Sequence, residues 1–285
     1  MRSSNPVLTR LGQADGQRGP GNTYNQAPPG QNPFQQQPYG QQYPQQGGYG
    51  YPPAPPAVTG QMMSLDDVVV RTVMLLALTG VAGALAWVLV PATGSVESLA
   101  LFGSMIAGLV LGLVIAFKRI TNPLVIALYA VVEGVLLAVV SRWFEARYPG
   151  IVIQAVLGTF GIFFVMAALY KFRVLRATPR FAKFVIGALI AFVLVSFINY
   201  IAYLFGFNTG LVDTGTDAVN PLAFLFCGAG IVIGALTFIL DFAEVENGIR
   251  YGLPEKYAWY CAFGLLVGLI FLYWQVLQML SYLRR

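Results

Sequence analysis

The chain contains no histidine, two cysteines and only 10% charged residues. Soluble domains usually carry about 25% charged residues. Without histidine there is no Ser-His-Asp triad, no Cys-His pair and no imidazole metal site. Two cysteines cannot build a four-thiolate zinc site or a disulfide framework. Ser104, Ser141 and Ser196 have no general base in the sequence to activate them, so serine hydrolysis is unsupported and no catalytic residue is assigned. The length of 285 residues would allow two ordinary domains, but 57% hydrophobic residues and so little charge point to an integral membrane protein. The 17 Lys+Arg exceed the 12 Asp+Glu, giving a formal charge of +5. In a membrane protein that excess is read as topology information, with the lipid bilayer as the partner and no nucleic acid.

Residues 1–64 differ from the rest and are read as a disordered, cytoplasmic Pro/Gly/Gln-rich tail. The first 60 residues hold 11 Pro, 10 Gly and 11 Gln. Gln35-Gln36-Gln37 and Tyr51-Pro52-Pro53-Ala54-Pro55-Pro56 have neither helical nor alternating periodicity. Such a segment buries too little apolar surface to offset its ordering entropy. Tyr24, Tyr39, Tyr43, Tyr49 and Tyr51 recur among Gln and Gly, which allows weak self-association. No basic n-region leads into an apolar h-region, so the first apolar helix serves as the targeting signal.

Residues 65–285 form the membrane domain. Apolar runs place spans at about 69–90, 99–117, 124–141, 151–170, 184–205, 222–243 and 260–281. Each is long enough, at about 1.5 Å per residue, to cross a hydrocarbon core of about 30 Å. The six prolines outside the tail are Pro91, Pro123, Pro149, Pro179, Pro221 and Pro254, one in or beside each of the six connections. Proline suits a helix boundary and breaks an interior. The expectation is an all-α bundle of seven transmembrane helices.

Lys and Arg set the expected orientation. With the N-terminus in the cytoplasm, that side holds Arg71, Lys118, Arg119, Lys171, Arg173, Arg176, Arg180, Lys183, Arg250 and Lys256. The outer side holds Arg142, Arg147, Arg284 and Arg285. The positive-inside rule then favours a multi-pass protein of the cell membrane, N-terminus inside and C-terminus outside. The alternative is a last segment that re-enters without crossing, since it carries Gln275 and Gln278. Arg173, Arg176 and Arg180 have helical spacing, but Pro179 interrupts them and they lie between spans. They read as a topology determinant or anionic-lipid contact, not as a voltage sensor.

Two acids fall inside apolar runs: Glu133 near the middle of the third span and Asp241 near the cytoplasmic end of the sixth. A charged carboxylate at mid-bilayer costs on the order of 3 kcal/mol on insertion scales. Either acid pins helices together or it serves a pathway. Glu244 follows Asp241 on the same helical face, while Glu246 is rotated away. Lys118 and Arg119 close the second span on the same side and could pair with Asp241, provided the second and sixth spans touch. Gly108-x3-Gly112, Gly230-x3-Gly234 and Gly264-x3-Gly268 allow close helix approach. Cys227 and Cys261 read as apolar filler.

Tyr129-Ala-Val-Val-Glu133-Gly134-Val-Leu-Leu resembles the third-span signature of the Bax inhibitor-1 family, the transmembrane Bax inhibitor motif superfamily. Ile239-Leu240-Asp241-Phe242, Leu272-Tyr273-Trp274-Gln275 and the closing Leu283-Arg284 resemble its sixth and seventh spans. The opening Met1-Arg-Ser-Ser-Asn-Pro6 and Leu65-Asp66-Asp67-Val68-Val69 are similar to an actinobacterial, YccA-like branch. The resemblance covers residues 65–285. It implies a bundle with the last helix central and a pH-sensitive calcium leak. In that scheme two acids on the sixth and seventh spans share a proton, and a basic residue at the cytoplasmic end of the second span latches the pore.

Asp241 matches the first acid, and Arg119, or less well Lys118, matches the latch. The second acid falls on Gln275, which can hydrogen-bond to Asp241 but cannot share in its titration. Glu133 is the substitute acid in reach of the scheme, although its depth differs.

Two function classes follow. One is a passive cation pathway for Ca2+ and H+, gated around Asp241, with Gln275, Glu133 and Glu244 as further pathway residues and Asp241 as the candidate Ca2+ contact. The other is an interaction protein that engages a membrane protease or stress-response machinery, using the tail as a handle. No cofactor is expected, and an intramembrane enzyme is disfavoured because only one aspartate sits in the bundle.

Overall fold

The computed structural model describes residues 61–91, 93–207, 210–211 and 220–284, with the side chains of Tyr203 and Leu204 excepted. The expectation of a disordered tail falls on residues 1–60 and lies outside the described residues. Seven helices follow in order: α1 Leu65–Leu89, α2 Ser95–Lys118, α3 Pro123–Arg147, α4 Ile151–Lys171, α5 Pro179–Leu204, α6 Pro221–Arg250 and α7 Tyr257–Leu283. All seven are long and apolar enough to cross a membrane. Each coincides with one expected span to within a residue at its apolar end, and most run on beyond it, because polar and charged residues continue the hydrogen-bonded spiral past the apolar stretch.

The helix ends follow from local chemistry. Ser64 caps α1 through a reciprocal box: its Oγ accepts from Asp67 N at 3.2 Å, and the Asp67 carboxylate accepts from Ser64 N at 2.9 Å. The triplet Asn-Pro-Leu starts both α3 and α6. Asn122 Oδ1 accepts from Leu124 N at 2.9 Å and Asn220 Oδ1 from Leu222 N at 3.0 Å, with proline at the first helical position. The N-terminus of α4 is capped from outside its own sequence. Glu145, near the end of α3, accepts from Gly150 N at 2.6 Å and Val152 N at 3.1 Å. A carboxylate there satisfies free amides and meets the positive end of the helix dipole.

Contacts between distant segments establish the alternation of the helices. At the bundle face where α1 begins, Gln61 and Met63 pair with the α6–α7 connection, and Tyr260 near the start of α7 reaches Ala116 O near the end of α2. At the opposite face Arg142 joins the end of α1, and Arg284 at the end of α7 donates to Pro149 O at 2.8 Å. We call these the entry face and the far face.

The last helix is central. α7 packs against α1, α3, α4 and α6, whereas α2 rests on α3 and α5 on α6. In the most apolar stretch of α7, 56% of residues are buried within the bundle, against 11% in α5. The outer surface presents Val73, Leu85, Leu109, Leu113, Phe164, Ile190 and Leu225. In water so wide an apolar surface would aggregate, and in a bilayer it is solvated by lipid tails. The continuous 27-residue α7 is also long enough to cross rather than re-enter.

Close approach is bought by glycine at the expected pairs. Gly108 and Gly112 of α2 lie against Glu133 and Tyr129 of α3, and Gly264 and Gly268 of α7 against Asp241 and Phe238 of α6. All three glycine pairs act within the chain.

Residues 61–64, assigned above to the tail, are docked in the structure. Met63 N donates to Leu253 O and Glu255 N to Gln61 O, both at 2.9 Å, so the segment lies antiparallel to the α6–α7 connection. Met63 is 3% exposed and seated over Gly248, with its Cε 2.6 Å from where a Cβ would stand. Arg71 pairs with Glu255, donates to its carbonyl at 3.0 Å, and lies over the Trp259 ring at 5.4 Å. The readable signal was the Ser64-x-x-Asp67 spacing, which starts α1 four residues before the apolar run. Met63→Ala removes a buried side chain from this socket and should destabilise the protein by on the order of 2 kcal/mol. An unchanged thermal midpoint in detergent would show that the docking contributes nothing.

Candidate functional site: an acid-lined cavity

A cavity of about 550 Å3 lies between α2 and α5, floored by α3, α6 and α7. It exists because the α2 backbone packs closely only on α3 and the α5 backbone only on α6, leaving a cleft between them. Its lining includes Glu133 and Tyr129 from α3, Thr237, Asp241 and Glu244 from α6, and Tyr260 and Cys261 from α7. The rest is Gly, Ala, Leu, Val and Phe. Both acids singled out by their cost inside an apolar run therefore line one cavity.

Their depths agree. Glu133 lies ten residues from the start of α3 and Asp241 nine from the end of α6, both counted from the entry face. At about 1.5 Å per residue these are roughly 15 and 14 Å along the two axes.

The two carboxylates have different surroundings. Glu133 is buried, 8% exposed, with the Tyr129 hydroxyl nearby, one turn earlier on α3. Tyr129 is itself held edge-on by Phe263, at 5.0 Å between centroids. Gly108 on α2 leaves room for the carboxylate, since a Cβ there would come within 2.6 Å of Glu133 Oε1. Asp241 is half-buried and makes no hydrogen bond or ion pair among the described residues. It faces Gly264 and Gly268, each of whose Cβ positions stands 3.5 Å from a carboxylate oxygen. Glu244 lies one turn nearer the entry face, exposed at the cavity. Glu246 turns away, as its spacing predicted, and accepts from Tyr170 Oη of α4 at 2.5 Å.

Gln275 does not join this group. It is 6% exposed and packs on Gly230, with Cys227 Sγ 3.2 Å from its backbone oxygen. Gly230 is eleven residues from Asp241, about 16 Å along α6. A hydrogen bond between Gln275 and Asp241 is thereby excluded in this structure. The α7 positions that face Asp241 are Gly264 and Gly268. Register on α7 decides this, and no residue type reports it.

The basic latch is also not formed. α2 does not pack on α6, and the three ion pairs among the described residues include neither Lys118 nor Arg119. Arg119 ends α2 in the left-handed region, φ 48° and ψ 50°. It stands near Tyr257 and Tyr260 at the start of α7. Arg119 and the two tyrosines thus stand at the entry end of the cavity, while Asp241 stands deeper. Tyr129, Tyr260 and Thr237 were not singled out as site residues from sequence; Tyr129, four residues before Glu133, carried the readable signal.

Fold and cavity define a multi-pass membrane protein: seven apolar helices with the last one central, and three acids lining one cleft. The family model for Bax inhibitor 1 like proteins matches residues 5–285, and the chain belongs to that family. The match begins well before residue 65, so it includes the Pro/Gly/Gln-rich segment. The comparison with individual curated proteins gave no match.

Proposed function

We propose that the chain is a cation leak pathway, carrying Ca2+ and responding to pH, with the acid-lined cavity as its vestibule. The observation that carries this reading is the placement of Glu133, Asp241 and Glu244, from two helices, in one cleft. Calcium takes six to eight oxygen ligands. The cleft offers three carboxylates, the Thr237 hydroxyl, and space for water to complete the shell. Among the described residues no three acids, cysteines or histidines gather closely enough to cage an ion. That supports transit of a partly hydrated cation over tight storage.

Protonation of a carboxylate removes charge from the vestibule. The titratable groups that share the cavity with Asp241 are Glu244 on its own helix, Glu133 and Tyr129 on α3, and Tyr260 and Cys261 on α7; the charge of Arg119 stands farther out, at the end of α2. The proposed setting is the cell membrane, with the N-terminus cytoplasmic and the C-terminus external, in a YccA-like branch of the family and without enzymatic activity.

Purified full-length protein in liposomes should pass Ca2+ above the protein-free rate. Asp241→Asn should cut the flux several-fold and flatten its pH dependence, while Asp241→Glu keeps both. Flux no greater than that of empty liposomes would sink this reading. The protein would then be better understood as an interaction protein of a membrane protease or stress response, whose phenotype deletion of residues 1–60 should remove.

A further inference from the structure

The entry face carries a basic cluster that the acid-lined cavity does not use. Lys171 ends α4, Arg173 and Arg176 lie in the connection to α5, and Arg180 and Lys183 stand in the first two turns of α5. All five side chains are exposed, and none makes a hydrogen bond or ion pair among the described residues. Other arginines of the bundle are engaged by the protein itself: Arg71 by Glu255, Arg142 by the carbonyls that end α1, and Arg284 by Pro149 and Gln154. The acid beside the cluster is Glu246, which already accepts from Tyr170, and Arg173 stands near that same tyrosine. The other acids of this face sit apart from the connection: Glu244 at the cavity, Asp66 and Asp67 at the start of α1, and Glu255 on Arg71. Arg250, at the end of α6, adds a further positive charge.

The cluster is held in place by its apolar neighbours. Leu175, Ala177 and Phe181 are half-buried against the main core, and Arg173, Arg176 and Arg180 alternate with them on the outside. The turn that leaves α4 is closed by Val174 N donating to Leu169 O at 3.0 Å and Arg173 N to Tyr170 O at 2.9 Å. Arg173 takes the left-handed position of that turn, φ 57°, where glycine is the usual residue. Topology alone asks only that cations stay on one side of the membrane. It does not require them to be fixed in place and unpaired. Exposed Phe172, Val174 and Phe184 interleave with the cations. The connection joins two helices long and apolar enough to cross a membrane, so both kinds of side chain stand where acyl chains give way to headgroups. There the apolar groups meet the acyl side and the cations meet phosphate. Residues 1–60 cannot supply the missing charge, since they hold Arg2, Arg10 and Arg18 against Asp15 as their only acid.

We propose that the α4–α5 connection is a docking site for anionic phospholipid headgroups of the surrounding membrane, gripped by Arg173, Arg176 and Arg180 and flanked by Lys171 and Lys183. A guanidinium fork matches a pair of phosphate oxygens. A zwitterionic headgroup brings its own cation to the same place, so an anionic one is preferred. This inference does not depend on the acid-lined cavity or on ion conduction.

The test measures the association of spin-labelled lipids with full-length protein in phosphatidylcholine vesicles. Spin-labelled phosphatidylglycerol should associate several-fold more strongly than spin-labelled phosphatidylcholine, and the preference should shrink as salt rises. The combined change Arg173→Gln, Arg176→Gln and Arg180→Gln should remove most of that preference at an unchanged thermal midpoint. Lys171→Gln with Lys183→Gln should remove a smaller part, and misfolding of either variant leaves the other decisive. Arg10→Gln, Arg147→Gln and Lys256→Gln together remove the same charge elsewhere and should keep the preference. Equal association of the two lipids with the unmodified protein would overturn the proposal and leave an acidic protein segment as the occupant. An equal loss in the charge-matched control would also overturn it, because net charge and not this cluster would then set the preference. If inorganic phosphate abolished the preference where chloride at the same ionic strength did not, the cluster would be a site for a free anion and the lipid assignment would fall.

Discussion

Gly134→Leu is expected to prevent the seven-helix domain from accumulating in a folded form. A Cβ at Gly134 would stand 2.5 Å from Thr79 O, 2.9 Å from Ala82 Cβ and 3.1 Å from Gly83 N. Two of these three atoms belong to the α1 backbone, which cannot rotate aside as a side chain can. α1 and α3 share the most extensive helix–helix contact in the bundle, and glycine at 83 and 134 is what lets the backbones meet. Overpacking a tight core usually costs about 1–3 kcal/mol. Here a whole helix must translate, so we expect at least about 3 kcal/mol, in line with the upper part of that range. Gly134→Ala should show the same defect in milder form. The measurement is the yield of monodisperse protein and its thermal midpoint in detergent. Gly80→Ala, which meets nothing within 4 Å, is the matched control and should be neutral. If Gly134→Leu behaved like that control, the α1–α3 seam would be looser than its geometry shows.

The same comparison explains what could be read in advance. Hydropathy reports what solvates a segment, so the seven spans and the six breaking prolines were legible, and so was the membrane class. It does not report where the backbone spiral ends. α6 therefore runs on to Arg250, past the last apolar residues, and α1 starts at Leu65 under the Ser64 cap. Helical spacing also sorted Glu244 toward the cavity and Glu246 toward Tyr170, because both lie on one rigid element.

Pairings between helices were not legible. Nothing in the composition of α7 says whether Gln275 or Gly264 faces Asp241, since that depends on how far α7 slides along α6. The seating of the Phe238 ring beside Gly268, with 2.9 Å to its Cβ position, and of Gln275 on Gly230 helps set that register. A latch from Arg119 to Asp241 needed α2 beside α6, whereas α2 rests on α3. The cost of burying a carboxylate did identify Glu133 and Asp241, because that cost is paid wherever the helices lie. Their convergence in one cleft is a property of the packing alone.

Arg142→Leu is the second substitution with a large expected effect, and it acts at the far face. The Arg142 guanidinium donates to Val90 O at 2.6 Å, Pro91 O at 3.2 Å and Trp87 O at 3.3 Å. These carbonyls end α1, where no further turn supplies a donor, and a cation there also meets the negative end of the helix dipole. The same guanidinium lies 3.7 Å from Glu97 Oε1, with the two side chains 14% and 11% exposed. Glu97 otherwise receives only Trp143 Nε1, at 2.7 Å. Leucine would leave three carbonyls without their donor and a buried carboxylate facing one indole. Breaking a buried pair from one side costs about 3–5 kcal/mol, and the slight exposure here places the expected loss near about 3 kcal/mol. Arg142→Lys should fall between, because one ammonium cannot span three carbonyls and a carboxylate as a planar fork does. Glu97→Gln added to Arg142→Leu should restore part of the stability by removing the stranded charge, although the same change alone should be destabilising. Thermal midpoints of the four proteins in detergent form a double-mutant cycle. Additive losses in that cycle would mean that Arg142 serves α1 alone and that Glu97 is not its partner.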